Sequence, residues 1–375
     1  MWNYGKIQHI CITFELTLKI YHRFGDMLMN IVVLCGGLSN ERDVSLSTGH
    51  GVANALRDRG HNVVLMDLFF GCQEEYDDPK ELFVRKRENV IYRVERTVPD
   101  LDAIRAQRKQ NNNSLIGDNV LEICAAADMT FLALHGEEGE NGKLQAMLDI
   151  AGIRYTGAGY LGSAMAMNKG VSKMIFRESG IPTAPAITLK KEEKPYGNVG
   201  YPCVVKPCSG GSSVGTAIVN GPNEYDAAVA DAFRYEDEVI VEKFISGREL
   251  TVGVMDGKAM PVIEIIPKAG FYDYKNKYQA GLTEEICPAQ ISDEDTGRVQ
   301  RLAEQVFKAL HLDVYGRVDF IMENSEEKTL YCLEANTLPG MTPTSLIPQM
   351  GVAMGMSYGE LCEKIIEVSM EKYRK

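Results

Sequence analysis

From Met29 onward the chain alternates between short apolar runs and amphipathic stretches. NIVVLCGG predicts a buried parallel strand, SLSTGHGVANALRDRG a helix that ends at Gly60, and HNVVLMDL the next strand. A third strand is predicted in MTFLAL, after a polar loop at residues 107–114. Ligands of such open sheets bind beyond the carboxyl ends of the strands, which is where GGLSNERDVS and HGEEGENG fall.

The second half of the chain predicts a different, strand-rich architecture. EVIVEKFISGRELTVGVMDG indicates two strands around a glycine turn, MPVIEII another strand, and PKAGFYDYKNKYQAGLTEEICP a loop. A helix in TGRVQRLAEQVFKALHL precedes the strands YGRVDFIME and TLYCLEANTLPGM. These last strands bring Asp319, Glu334 and Asn336 together, and hard oxygen ligands suit Mg²⁺ that phosphates also hold. The alternative for Asp319 alone is a solvated carboxylate on an exposed strand.

The segment VVKPCSGGSSVG at residues 204–215 ends an apolar strand with Lys206 and continues into a glycine- and serine-rich loop. Glycines allow close backbone approach to phosphate oxygens, so a phosphate-binding loop is one interpretation. It is not a Walker A motif, in which the lysine follows the glycines. A tight β-hairpin with a Gly-Gly turn is the other interpretation.

Two further segments need separate treatment. Alternate apolar residues from Ile10 to Ile20 indicate a strand and lack the continuous apolar core of a signal peptide. Residues 1–28 are therefore either an extension upstream of the domain start or an added edge strand.

GAGYLG at residues 157–162 matches the dinucleotide fingerprint, but it follows a whole α/β domain and leads into a helix, so we interpret it as a linker.

Composition narrows the classes of function. The 375 residues, 45% of them apolar, suggest two or three domains, and the net charge of −12 disfavours nucleic-acid partners. Nine scattered cysteines without a C-x-x-C pair indicate reduced cytosolic thiols rather than disulfides or a zinc site. No apolar run approaches the roughly 20 residues of a spanning helix, so we expect a cytoplasmic protein without a membrane partner.

Seven motifs, in order, resemble the D-alanine:D-alanine ligase family of ATP-grasp enzymes over residues 29–375. They are GGLSNERDVS, LHGEEGENGKLQ, VVKPCSGGSSVG, EKFISGRELTV, FYDYKNKY, GRVDF and LEANTLPGMTPTSL. The resemblance implies an N-terminal open parallel α/β domain (29–157) followed by a two-subdomain ATP-grasp fold. The central subdomain (158–242) would carry the glycine-rich flap, and the C-terminal subdomain (243–375) the lid loop and metal ligands. A homodimer is also implied.

The activity implied by this resemblance is the ATP-dependent joining of two D-alanine molecules for peptidoglycan synthesis. D-alanyl phosphate is the intermediate, ADP and phosphate are released, and two Mg²⁺ or Mn²⁺ ions assist. Relatives that join D-alanine to D-serine or D-lactate are the alternative, although Tyr278 and Leu346 favour D-alanine as second substrate. Another ATP-grasp acid–amine ligase and a non-catalytic nucleotide-binding regulator also remain open.

The resemblance also assigns site residues by role. Glu41 would hold the ammonium of the first D-alanine and join Ser212 and Tyr278 in a bridge that closes the lid, while Arg317 and the Gly340 amide would stabilise an oxyanion. The expected substrate contacts are His135, Lys277, Ser345 and Leu346. The expected nucleotide contacts are Lys169, Lys206, Ser213, Glu242, Lys243, Ile245 and Glu249. The expected metal ligands are Asp319, Glu334 and Asn336. Two departures are Asn141, where aspartate is common, and Cys208 in the flap.

Overall fold

The computed structural model describes residues 27–94, 99–108, 113–193, 196–211, 213–268 and 283–374. Within these ranges the chain forms three sheets that follow one another in sequence. Residues 1–26, with the apolar alternation of the leader, lie outside the described part of the chain.

The first sheet has three parallel strands in the order β2-β1-β3: β1 (Asn30–Cys35), β2 (Asn62–Asp67) and β3 (Met129–Leu132). Residues 31–34 of the central strand are fully buried, and alternate residues belong to core clusters on opposite faces. Burial of both faces explains the unbroken apolar run of this strand. The helices of this part are α1 (Arg42–Asp58), α2 (Glu81–Val84), α3 (Leu101–Ala106), α4 (Val120–Ala125), α5 (Glu137–Glu140) and α6 (Lys143–Ile150).

A sharp turn between β1 and α1 places Glu41 at the carboxyl edge of the first sheet. Gly36 and Gly37 have φ values of 71° and 78°, a region that favours glycine. A Cβ atom on Gly36 would lie 2.3 Å from Asp67 Oδ2, so a larger residue has no room there. α1 begins at Arg42, earlier than the predicted Ser45.

The second sheet is antiparallel, in the order β4-β7-β5-β6: β4 (Ala186–Lys190), β5 (Cys203–Pro207), β6 (Ala217–Val219) and β7 (Glu238–Lys243). Its helices are α7 (Tyr160–Met167), α8 (Lys169–Glu178) and α9 (Pro222–Ala232). The glycine-rich segment joins β5 to β6, which pair antiparallel, so the hairpin interpretation is right about the pairing. It is wrong about the turn, because the connection occupies residues 208–216 and is too long for a Gly-Gly turn.

The third sheet is antiparallel, in the order β10-β9-β8-β11-β12: β8 (Gly247–Met255), β9 (Lys258–Pro267), β10 (Thr283–Ile286), β11 (Tyr315–Glu323) and β12 (Leu330–Asn336). α10 (Asp293–Ala309) packs on it through a cluster that includes Val299 and Val306. Two expectations are wrong here. β7 and β8 flank the predicted glycine turn but belong to different sheets, and residues 283–286, expected in a loop, form a strand paired with β9.

The last two helices, α11 (Leu346–Ala353) and α12 (Tyr358–Glu371), return to the first sheet. Ile365 and Ile366 of α12 share a core cluster with Val52 and Leu56 of α1. Just beyond α12, Lys372 Nζ donates to the Gly157 carbonyl at 2.6 Å and lies 4.2 Å from the centre of the Tyr155 ring. No helix in the described ranges is long and apolar enough to cross a membrane.

Candidate active site

Two cavities adjoin where the three sheets meet. The larger, about 540 Å³, is lined by the predicted substrate and catalytic residues Glu41, His135, Arg317, Gly340, Ser345 and Leu346. The smaller, about 200 Å³, is lined by the seven predicted nucleotide contacts, Lys169, Lys206, Ser213, Glu242, Lys243, Ile245 and Glu249. We name them the substrate cavity and the nucleotide cavity. Lys169, Gly210 and Glu334 line both, so the cavities meet at these residues.

Three predicted residues cannot be placed in either cavity. Ser212, Lys277 and Tyr278 lie outside the described residues. The bridge expected between Glu41, Ser212 and Tyr278, and the lid in FYDYKNKY, therefore stay predictions. The described neighbour Gly211 does reach Glu41, because a Cβ atom there would lie 3.3 Å from Glu41 Oε2.

Glu41 stands at the N-cap position of α1, between two loops. Its backbone N–H donates to Ser39 Oγ at 3.2 Å, and the Ser39 hydroxyl donates to the His135 carbonyl at 2.8 Å. A Cβ atom on Gly136 would lie 2.9 Å from Glu41 Oε2. The carboxylate is thus held at the junction of the α1 turn, the HGEEGENG loop and the flap.

His135 is buried and engages protein groups through both ring nitrogens. Nδ1 lies 2.9 Å from the Leu338 carbonyl, and Nε2 lies 2.8 Å from Thr48 Oγ1. Burial lowers the pKa of His135, although the Glu41 charge opposes this effect. A neutral ring fits these contacts when Nδ1 donates to the carbonyl and Nε2 accepts from the hydroxyl. His135 therefore ties α1 to the segment that leads to Gly340.

Gly340, Ser345 and Leu346 form the far wall of the substrate cavity. A Cβ atom on Gly340 would lie 2.8 Å from Ser345 Oγ, so only glycine fits beside that hydroxyl. Ser345 is the N-cap residue of α11, and its Oγ accepts from the Thr342 N–H at 3.1 Å. Leu346 begins the helix.

Arg317 and Asp319 form a buried ion pair on β11. Arg317 Nε and Nη2 donate to the two Asp319 oxygens at 2.9 and 2.8 Å, which is a bidentate arrangement. Asn336 Nδ2 and Thr251 Oγ1 also donate to this carboxylate, at 2.9 and 2.6 Å. Asp319 is only 6% exposed, so the interpretation of a solvated surface carboxylate is wrong. The guanidinium is held rigidly at the substrate cavity.

Asp319, Glu334 and Asn336 fit a site for a hard divalent cation. β11 and β12 are antiparallel, with Asp319 opposite Glu334 and Arg317 opposite Asn336. Two carboxylates and an amide supply the oxygen ligands that Mg²⁺ and Mn²⁺ prefer. Within the described ranges, no group of three or more His, Cys, Asp and Glu side chains is placed to hold a metal. Oxygens from a bound phosphate would therefore have to complete the coordination.

Lysines lie along the boundary between the two cavities. Lys169 Nζ lies 3.3 Å from Glu334 Oε2 and donates to the Gly210 carbonyl at 2.7 Å. Lys206, on β5, pairs with Glu242 on β7. Cys208, just beyond β5, is buried, as expected for a small apolar residue.

Known ligases resemble this chain over most of its length. Models of the D-ala D-ala ligase N-terminus and C-terminus match residues 30–158 and 175–367. The D-alanine–D-alanine ligases of Pediococcus pentosaceus and Lacticaseibacillus casei are 45% and 42% identical over 342 and 348 residues, which span 90% and 92% of this chain and 97% of each relative. The chain belongs to the D-alanine–D-alanine ligase family.

A solved member of this ligase family supports the same conclusion. The crystal structure of the D-alanine–D-alanine ligase from Bacillus anthracis complexed with ATP has a TM-score of 0.70 and 31% identity, and the match covers 92% of this chain and 98% of that chain. The predicted fold class, a parallel α/β domain followed by an ATP-grasp fold, is confirmed. The dinucleotide interpretation of GAGYLG is excluded. In the present protein the third glycine of the GAGYLG segment, Gly162, packs against backbone, since a Cβ atom there would lie 2.7 Å from the His311 carbonyl oxygen.

Sequence reasoning missed two charged residues of the present protein, the buried Lys173 and the partly buried Glu140. Lys173 is 1% exposed and pairs with Glu242. Glu140 lines the substrate cavity and accepts from the N–H groups of Gly136 and Leu338 at 2.8 and 3.2 Å. Lys173 follows Lys169 by one helical turn, a spacing that places both on one face and was the available signal. Glu140 lies in an acidic run that is typical of solvated surface, so the sequence held no signal for it.

Replacement of Glu140 by glutamine is expected to change how stability depends on pH. Burial, then the nearby Glu41 charge, raises the pKa of Glu140 from 4.5 to about 7. The raised pKa stabilises the fold at low pH, and this contribution is lost as pH rises through 7. Between pH 5 and 8 the wild type should lose about 2 kcal/mol that E140Q does not lose. Urea unfolding across this range measures the difference, and parallel pH profiles would contradict it.

Proposed function

We propose that this protein joins two D-alanine molecules into D-alanyl-D-alanine at the expense of ATP, for peptidoglycan precursor synthesis. The observation that carries the proposal is that the substrate and nucleotide cavities meet at Lys169 and Glu334. A nucleotide whose phosphates point toward this junction would present its terminal phosphate to a carboxylate in the substrate cavity. Positioning of two reactants in this way is a large part of phosphoryl-transfer catalysis.

The reaction proceeds in two steps that share one site. A carboxylate oxygen of the first D-alanine attacks the γ-phosphorus, the bond to the β,γ-bridging oxygen breaks, and ADP leaves. The neutral amine of the second D-alanine then attacks the acyl carbon of D-alanyl phosphate; the nitrogen of the tetrahedral intermediate loses a proton to solvent, the carbonyl re-forms, the bond from carbon to the phosphate oxygen breaks, and phosphate leaves. Arg317 and the Gly340 N–H are proposed to stabilise the oxyanion of that intermediate, because both line the substrate cavity.

Each side of the junction has its own proposed tasks. Lys169 and Lys206 bind the phosphates, and Ser213 in the flap contacts them. The adenine edge meets Glu242, Lys243 and Ile245, and the ribose meets Glu249. Asp319, Glu334 and Asn336 would hold Mg²⁺ or Mn²⁺, which supplies neutralisation of phosphate charge when bound. Arg317 is oriented for its task by the bidentate contact with Asp319.

Glu41, His135, Ser345 and Leu346 are proposed to select the amino acids. The Glu41 carboxylate matches the ammonium of the first D-alanine, and His135 lies beside its carboxylate. Ser345 and Leu346 face the second D-alanine. Leu346 is apolar and 5% exposed, which favours D-alanine over the hydroxyl of D-serine.

Finer properties extend this proposal. We propose a cytoplasmic homodimer, and domains divided at residues 157/158 and 242/243. The first and second sheets lie on either side of 157/158, which supports that division; the 242/243 division falls one residue before the end of β7, and the third sheet begins at Gly247. Sedimentation equilibrium of the purified protein would measure the oligomeric state.

The decisive experiment follows phosphate release from MgATP with D-alanine alone, with L-alanine, and with D-alanine paired with D-serine or D-lactate. We expect release with D-alanine alone and a product with the mass of D-alanyl-D-alanine. Release only when D-serine or D-lactate is present would contradict the specificity. Absence of release with every D-amino acid would favour another ATP-grasp acid–amine ligase or a non-catalytic regulator.

Replacement of Glu41 by glutamine is expected to raise the KM for the first D-alanine about 10- to 100-fold, since a hydrogen bond to a charged group is lost. The KM for ATP should change little. Initial rates across D-alanine concentrations at saturating MgATP, and across MgATP concentrations at saturating D-alanine, measure the two constants. E138Q is the matched control, because Glu138 belongs to the same loop as His135 but does not line the substrate cavity. Equal KM values in E41Q and E138Q would contradict the assignment.

A further inference from the structure

Two lysines share one buried carboxylate beside the nucleotide cavity. Glu242 is 3% exposed, and its Oε1 pairs with Lys206. Its Oε2 lies 2.7 Å from Nζ of Lys173, which is 1% exposed. Lys173 also donates to Thr183 Oγ1 at 2.6 Å. The arrangement places two positive charges against one negative charge in the interior.

Lys173 belongs to this charge cluster but does not line the nucleotide cavity. Lys206 and Glu242 line the nucleotide cavity, whereas Lys173 lines neither cavity. It is held from behind, because the Thr183 hydroxyl in turn donates to the Cys332 carbonyl at 2.8 Å. Glu242 is thus the charged group that connects Lys173 to the nucleotide cavity.

The charges indicate what effect Lys173 has on that cavity. Burial acts to raise the pKa of Glu242, but the lysine charges, Lys206 first and Lys173 second, lower it to about 2. Pairing with Glu242 directs one donor of Lys206 and much of its charge to the carboxylate instead of to a phosphate. If Lys206 moved to a phosphate and Glu242 had no other partner, a buried charge would be left uncompensated, which is strongly unfavourable. Lys173 removes that obstacle.

We propose that Lys173 is a positioning residue that neutralises Glu242 and thereby lets Lys206 exchange from Glu242 to the nucleotide phosphates. The inference rests on the proposed function, in that it takes the 200 Å³ cavity as the ATP site. The inference predicts that Lys173 affects binding of the phosphates rather than binding of the nucleoside.

The test compares MgADP with adenosine as ligands of wild type and K173M. MgADP affinity should fall about 10- to 100-fold in K173M, because one partner of a buried charge pair is lost. The loss of adenosine affinity in K173M should be at least about tenfold smaller than the loss of MgADP affinity, since adenosine does not require Lys206. K372M is the matched control, since Lys372 is mostly buried yet lines neither cavity. Its affinity for MgADP should equal that of wild type.

Three further variants keep the test decisive if K173M folds poorly. K173R retains the charge and should bind MgADP within about threefold of wild type. E242Q and K173M/E242Q should differ by less than about threefold, because without the carboxylate Lys173 has no charge to neutralise. A tenfold loss on adding K173M to E242Q would overturn the inference, as would equal losses of MgADP and adenosine affinity in K173M. A wild type that binds no MgADP would overturn the proposed function and this inference with it.

Discussion

Replacement of Arg317 by methionine is expected to lower kcat for dipeptide formation about a thousandfold, the range found when an oxyanion donor is removed. The guanidinium lines the substrate cavity, and Asp319 fixes its plane through two hydrogen bonds. In its proposed role it stabilises charge that develops only in the transition state, so the KM values should change far less than kcat. Steady-state kinetics with D-alanine and MgATP measures both.

Arg317 also neutralises Asp319, so an indirect effect must be separated from a direct one. R317K keeps a positive charge near Asp319 but loses the planar fork, and it should recover only a small part of kcat. MgADP affinity reports on the nucleotide cavity, and we expect it to be nearly unchanged in R317M. A kcat within tenfold of wild type would rule out Arg317 as the oxyanion donor. A parallel loss of MgADP affinity would instead point to disruption at Asp319.

Replacement of Glu334 by glutamine should lower turnover about a hundredfold at fixed Mg²⁺ and raise the Mg²⁺ concentration needed for half-maximal rate. The amide supplies a neutral oxygen where a carboxylate ligand is expected, and Lys169 loses the partner 3.3 Å away. Rates measured across a Mg²⁺ titration test both effects.

The control for E334Q is E323Q, because Glu323 ends the neighbouring strand β11 but lines neither cavity. It should retain the wild-type rate and Mg²⁺ requirement. Wild-type turnover of E334Q at every Mg²⁺ concentration would rule out the metal assignment.

Much of the fold is predictable because local pattern and burial agree. The strand YGRVDFIME occupies residues 315–323 as predicted, since both its edges are paired and Val318, Phe320 and Met322 share one core cluster. The membership of strands in sheets is not local. Nothing in EVIVEKFISGRELTV indicates that the chain leaves one sheet at Lys243 and enters another at Gly247. β10 was missed for a related reason, because TEEI is polar and is a strand only through its pairing with β9.

The candidate site likewise contains residues that the sequence predicts and residues that only the structure reveals. Glu41, Arg317 and Glu334 are predictable from the sequence, because each is a charged residue in a loop or in an apolar strand at the edge of a sheet. The burial of Asp319 and Lys173, and the partial burial of Glu140, depend on partners distant in sequence, such as Thr251 for Asp319, and so emerge only from the packed structure.

The return of α12 to the first sheet bears on the order in which the protein is completed during synthesis. Domains generally fold as they emerge, beginning with the N-terminal one. Here the first sheet is finished by Ile365 and Ile366, which pack against Val52 and Leu56 of α1. A nascent chain that stops before residue 358 exposes that apolar surface, so the part made first reaches its final packing only after α12 has been translated.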